Sequence, residues 1–120
     1  MNLIIENDKV FEHLFVVGDT HGNNKQLATH LLPDILKDKK KAILHVGDFG
    51  IGFSTHTGEL DTMAHLDRKL KKANVWLYVI RGNHDNPAYF DSNNLKHQDM
   101  GGLTNIVLIP DHTLLVLKFV

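Results

Sequence analysis

The chain has 120 residues, 42% of them apolar, with 13 basic side chains against 14 acidic ones. That length and apolar share suit one globular domain, and the near-balanced charge leaves no strong footprint for nucleic acid or an anionic membrane surface. Cysteine is absent, which excludes disulfides, thiolate metal sites and cysteine nucleophiles. No segment approaches the roughly 20 apolar residues that would span a bilayer, and the opening MNLIIENDKVFEH is acidic where a secretory leader would be basic, so the expected setting is cytoplasmic with no membrane partner.

Taken in chain order, Leu3 to Ile5 reads as a first strand, and His13 to Val17 as a buried strand that stops at Gly18. From about Asn24 the spacing of Leu27, Leu31 and Ile35 predicts a helix that Pro33 breaks or kinks, and Lys37 to Lys41 reads as its solvated exit. Ala42 to Val46 is the next apolar run, closed by Gly47. A second helix is predicted over Glu59 to Ala73. Its Leu60, Met63, Leu66, Leu70 and Ala73 form a core stripe, and Asp61, Asp67, Arg68, Lys69, Lys71 and Lys72 face water. Val75 to Ile80 is a third strand, again stopping near a glycine, Gly82. Asn105 to Ile109 and His112 to Val120 read as two strands joined at Pro110-Asp111, a hairpin in a mixed sheet. The alternation implies an α/β layered sheet with adjacent strands parallel, in which ligand-contacting residues collect at the strand carboxyl ends.

Three of those ends carry Gly18-Asp19-Thr20-His21-Gly22, Gly47-Asp48-Phe49-Gly50 and Gly82-Asn83-His84-Asp85. Carboxylates at adjacent strand ends repel one another unless a cation joins them. On an extended segment Asp19 and His21 would point to one side and reach one ion, Asp48 on the next strand end could bridge to a second, and Asn83 adds a neutral amide oxygen. Two cations held in this way make water nucleophilic and neutralise phosphoryl oxygens. Mixed oxygen and imidazole donors suit Mn, Fe, Zn or Ni better than Ca.

In this order, over about Phe15 to Asp85, the three motifs resemble those of the calcineurin-like metallophosphoesterases, GDxHG, GD with a glycine-bearing loop, and GNHD or GNHE. The resemblance implies an α/β metallophosphoesterase sandwich, two divalent transition-metal ions with Mn favoured, and hydrolysis of a phosphate mono- or diester substrate. It assigns Asp19, His21, Asp48 and Asn83 as metal ligands and His84 as the acid that protonates the departing alkoxide. Arg81 and Asp85 are weaker candidates for substrate binding. The reading preferred for Arg81 is half of a structural ion pair, and for Asp85 a hydrogen-bond partner of its own turn. His45 is expected to be a satisfied core histidine. His13, His30, His65 and His97 are read as surface or helix positions, while His56 and His112 are left unassigned.

The family's later histidines, one isolated and a pair in Gly-His-x-His, have no counterpart here, and Gly50-Ile51-Gly52 replaces the Asp-Arg pair of the protein phosphatase branch. The 120 residues are therefore expected to form a single domain corresponding to the first half of the sandwich. The alternative is a catalytically impaired remnant or metal-binding module that pairs with another chain through the apolar run Leu114 to Val120.

Overall fold

A computed structural model describes residues 3–22 and 39–120. The helix predicted from about Asn24, with Leu27, Leu31, Pro33, Ile35 and His30, lies outside the described residues. The strands are β1 (Leu3–Phe11), β2 (His13–Val17), β3 (Lys41–His45), β4 (Val75–Val79), β5 (Ile106–Leu108) and β6 (Thr113–Phe119). The helices are α1 (His56–Lys72), between β3 and β4, and the short α2 (Leu95–Asp99), before β5.

β2, β3, β4 and β5 form one sheet in that order, and β1 pairs with β6 in a second sheet. All the pairings are parallel. The carboxyl ends of the four central strands therefore share one edge.

The four-stranded sheet is apolar on both faces, and both are covered over β3 and β4, while Leu14 and Val16 of β2 are exposed. Phe15, Val17, Ile43, Val75, Leu77, Val79, Ile106 and Leu108 point to the α1 side, where they meet Met63, Leu66 and Leu70. Ala42, Leu44, Trp76, Tyr78 and Val107 point the other way, against Ile5, Phe11, Leu115 and Leu117 of the second sheet. Successive residues of β4 thus alternate between two cores, which explains why the strand reads as an unbroken apolar run.

α1 begins earlier than predicted. Thr55 caps it by accepting the Gly58 N–H at 3.1 Å, and the buried Glu59 reaches back to the N–H groups of Gly52 and Ser54, each at 3.0 Å. Its predicted stripe does face the core, with Met63, Leu66 and Leu70 buried and Leu60 and Ala73 packed beside them. Asp67 departs from the solvated face, since its carboxylate accepts the Asn105 N–H at 2.7 Å and the Thr104 N–H at 3.2 Å.

Two expectations are corrected. The strands on either side of Pro110-Asp111 do not form a hairpin: β5 ends the first sheet beside β4, and β6 crosses to pair with β1 in the second. An apolar run after a turn fits either connection, and here the crossing covers the outer face of Trp76 and Tyr78. Lys41 is not part of the solvated run, because β3 starts there, between His13 and Val75, and the residue is 1% exposed. Among the described residues no helix is long and apolar enough to cross a membrane.

Candidate metal centre

The ladder that begins in the sheet continues into the loops at its edge. Val46 donates to Val17, Asp19 to Gly47, His21 to Asp48 and Gly22 to Phe49, all by backbone N–H bonds of 2.8–2.9 Å. The two loops thus lie side by side, with Asp19 and His21 on one and Asp48 on the other. Asp19, His21 and Asp48 all have left-handed backbone, at φ 61°, 48° and 54°. They make up three of the five non-glycine residues with positive φ among the described residues, so backbone strain is concentrated at this edge. Each such residue costs about 1–3 kcal/mol unless the surroundings enforce it, and such strain clusters at ligand-holding sites.

The segment holding Asp19 and His21 is therefore not extended, as the sequence suggested. The two side chains nevertheless come together, because left-handed backbone at Asp19 and again at His21 returns His21 Nε2 to a hydrogen bond with Asp19 Oδ1. Across the groove, Asp48 accepts the His84 backbone N–H at 2.9 Å and the His84 ring Nδ1–H at 3.0 Å. These bonds, the backbone one foremost, hold the Asp48 carboxyl below the usual carboxylate range. The same side-chain bond and the Asp48 charge push the His84 pKa up.

One ligand atom each from His21, Asp48 and His84 lies within 4.8 Å of the others, an arrangement that could hold a metal ion. The rings of His21 and His84 are 5.5 Å apart. Asp19 joins the group through His21, and Asn83 sits exposed on the turn just before His84. His84, which the resemblance assigns as acid and not as ligand, stands within this group of donor atoms.

The two weaker candidates are engaged structurally. Arg81 makes a two-point ion pair with Asp111, Nε and Nη2 donating at 3.1 and 2.8 Å. Asp85 is 3% exposed and accepts four backbone N–H groups, from Phe49 (3.2 Å), Gly50 (2.7 Å), Ile51 (3.2 Å) and Gly82 (2.9 Å). It therefore ties the loop after β3 to the loop after β4. Gly82 permits the close approach: a Cβ there would lie 2.1 Å from Asp48 N and 2.3 Å from Asp48 Oδ1.

Among the unassigned histidines, His56 bridges the Tyr89 hydroxyl at 2.8 Å and Asp99 at 2.7 Å, and His112 is exposed at φ 61°. His97 bonds the Leu108 carbonyl at 2.9 Å, and His45 is buried and bonded to Thr20, as a satisfied core histidine should be. Thr20 bears no donor typical of a metal ligand. Its only signal in the sequence is its place between Asp19 and His21.

The fold and this edge define a parallel α/β sandwich with a carboxylate and imidazole cluster at its strand ends. The family model for calcineurin-like phosphoesterases matches residues 13–116, and the chain belongs to that family. Comparisons with curated proteins and with solved structures gave no match.

Proposed function

We propose that the chain is a metal-dependent phosphoesterase that hydrolyses phosphate mono- or diesters at a binuclear centre. The observation that carries this is the convergence of His21, Asp48 and His84 at adjacent strand ends in a chain of this family. Bound divalent ions supply Lewis acidity and a lowered pKa of water, which phosphate-ester hydrolysis near neutral pH requires. Asp19, His21, Asp48 and Asn83 are the residues that would hold such ions, with Asp48 placed between the others. A mixed oxygen and nitrogen donor set of this kind suits Mn, the favoured ion, and also Fe, Zn or Ni. A carboxylate has about four lone-pair sites, so Asp48 can meet cations while keeping its bond to His84.

His84 is the general acid. Asp48 fixes its Nδ1–H, which orients the ring and leaves Nε2 to carry the transferable proton. As water oxygen joins phosphorus and the P–O bond to the alcohol breaks, that proton passes to the departing oxygen. In the metal-free chain the bond to Asp48 and its charge raise the His84 pKa.

The test is hydrolysis of p-nitrophenyl phosphate and its bis ester with added Mn. Rates should rise with Mn and fall by about 10²-fold or more in His84→Asn, the range for loss of a general acid, with at least as large a fall in Asp48→Asn. Activity unaltered by both substitutions would overturn the assignment.

A second reading, a module that pairs with another strand-bearing chain through β6, is supported by the 58% exposure of Leu114 and the 44% exposure of Phe119. Light scattering after size exclusion decides it. A concentration-dependent dimer abolished by Leu114→Lys supports it, and a monomer at all concentrations removes self-pairing.

A further inference from the structure

Beneath the cluster lies a polar group that the proposed chemistry does not use. His45, the last residue of β3, is 0% exposed, and burying an imidazole there is costly unless its nitrogens are bonded. Its ring packs edge-on against Phe49, at 5.1 Å and 78°. Nε2 is 2.8 Å from Thr20 Oγ1, and the Gly47 N–H approaches Nδ1 at 3.4 Å. An N–H can only donate, so Nδ1 accepts and the ring proton sits on Nε2, where it is donated to Thr20. Burial also lowers the His45 pKa, which favours this neutral form. The Thr20 hydroxyl is left to donate onward to the Phe49 carbonyl, 3.4 Å away.

We infer that His45 and Thr20 are positioning residues for the metal centre, the bond between them anchoring the loop of Asp19 and His21 to the buried core. Thr20 is flanked by the two left-handed residues whose side chains face each other, and Phe49, at the end of the relay, directly follows Asp48. The backbone bonds from Asp19, His21 and Gly22 join this loop to its neighbour along a single line. The Thr20 side chain adds a tie from this loop to β3 in the interior, beyond those backbone bonds.

The inference rests on the metal-dependent reading above, and the experiment separates the two. Calorimetric titration of Mn into the metal-free chain should show Kd raised about tenfold or more in Thr20→Val, the scale seen when partners behind metal ligands are lost. The thermal midpoint should also fall, because the buried His45 Nε2–H loses its acceptor, so affinities are compared at temperatures where both proteins are fully folded. Thr20→Ser should restore wild-type affinity. His45→Gln, which can keep an N–H in reach of Thr20, should bind Mn more tightly than His45→Leu. In metal-free NMR spectra, Thr20→Val should move the Asp19 and His21 amide signals and leave those of β4 in place.

Equal Mn affinity in Thr20→Val and wild type would show that the backbone ladder alone holds the loop, and would overturn the inference. A wild-type chain that binds no Mn overturns the metal reading instead. The NMR comparison then decides the anchoring, with unmoved Asp19 and His21 signals refuting it.

Discussion

At the scale of single residues, Asp85 does more for the site than its place at the end of a motif suggests. Its Oδ1 accepts from Gly50 and Ile51 of the loop after β3, and its Oδ2 from Phe49 of that loop and Gly82 of the loop after β4. In Asp85→Asn one oxygen becomes an NH2 that confronts N–H donors. Leaving buried donors unsatisfied should cost about 2–4 kcal/mol. Urea unfolding of the metal-free variant measures this, and a midpoint equal to wild type would contradict the structural role. His84 offers a second measurement. Its folded pKa is raised by the bond to Asp48, so the pair adds stability that is fully present below the unfolded value of about 6.5. That stability is lost as pH rises through the higher folded value. NMR titration of the metal-free chain should give His84 a midpoint above 6.5, and Asp48→Asn should bring it back toward that value. Identical midpoints in the two proteins would remove the coupling.

At the scale of elements, the edge is built from loops packed almost without clearance. A Cβ on Gly82 would collide with Asp48, whereas one on Gly101, in the turn after α2, would meet nothing within 4 Å. Gly82→Ala should therefore displace Asp48, destabilising the chain by about 1–3 kcal/mol, as overpacking does, while Gly101→Ala stays near neutral. Chemical denaturation of both variants tests the contrast, and equal midpoints would show that the loops yield freely. Much of this edge is legible in the sequence, because glycine after each apolar run marks where a buried strand turns and the Asp, His and Asn beside it carry the chemistry. The left-handed φ of Asp19 and His21 is not legible, since it follows from the ladder to the neighbouring loop, a long-range contact. The bond from His45 to Thr20, 25 residues apart, is hidden for the same reason. The early start of α1 is missed because Thr57 and Gly58 are poor helix formers, and the Thr55 cap and Glu59 outweigh them.

For the whole molecule, the alternation of strands and helices indicates the layered parallel sheet, since buried parallel strands appear as continuous apolar runs. The sequence does not show that β6 leaves the first sheet, because an amphipathic pattern records burial and not the partner. The consequence is a second core, separate from the one under α1, in which Phe11 is 0% exposed and meets Trp76 and Tyr78 edge-on at 5.7 and 6.2 Å. Phe11 lies two residues before His13, the first residue of β2, and the candidate metal cluster lies past the carboxyl end of that strand. Stability and site geometry should therefore separate at this position. Phe11→Ala should cost about 3–5 kcal/mol, the usual range for emptying a buried aromatic site. If the chain still folds under the assay conditions, Mn affinity should match wild type, because none of the hydrogen bonds that shape the cluster passes through the second sheet. Urea unfolding and Mn titration of the same preparation decide the matter. A large loss of affinity at unchanged folded fraction would mean that the second sheet supports the strand-end loops directly and that the two cores are not independent.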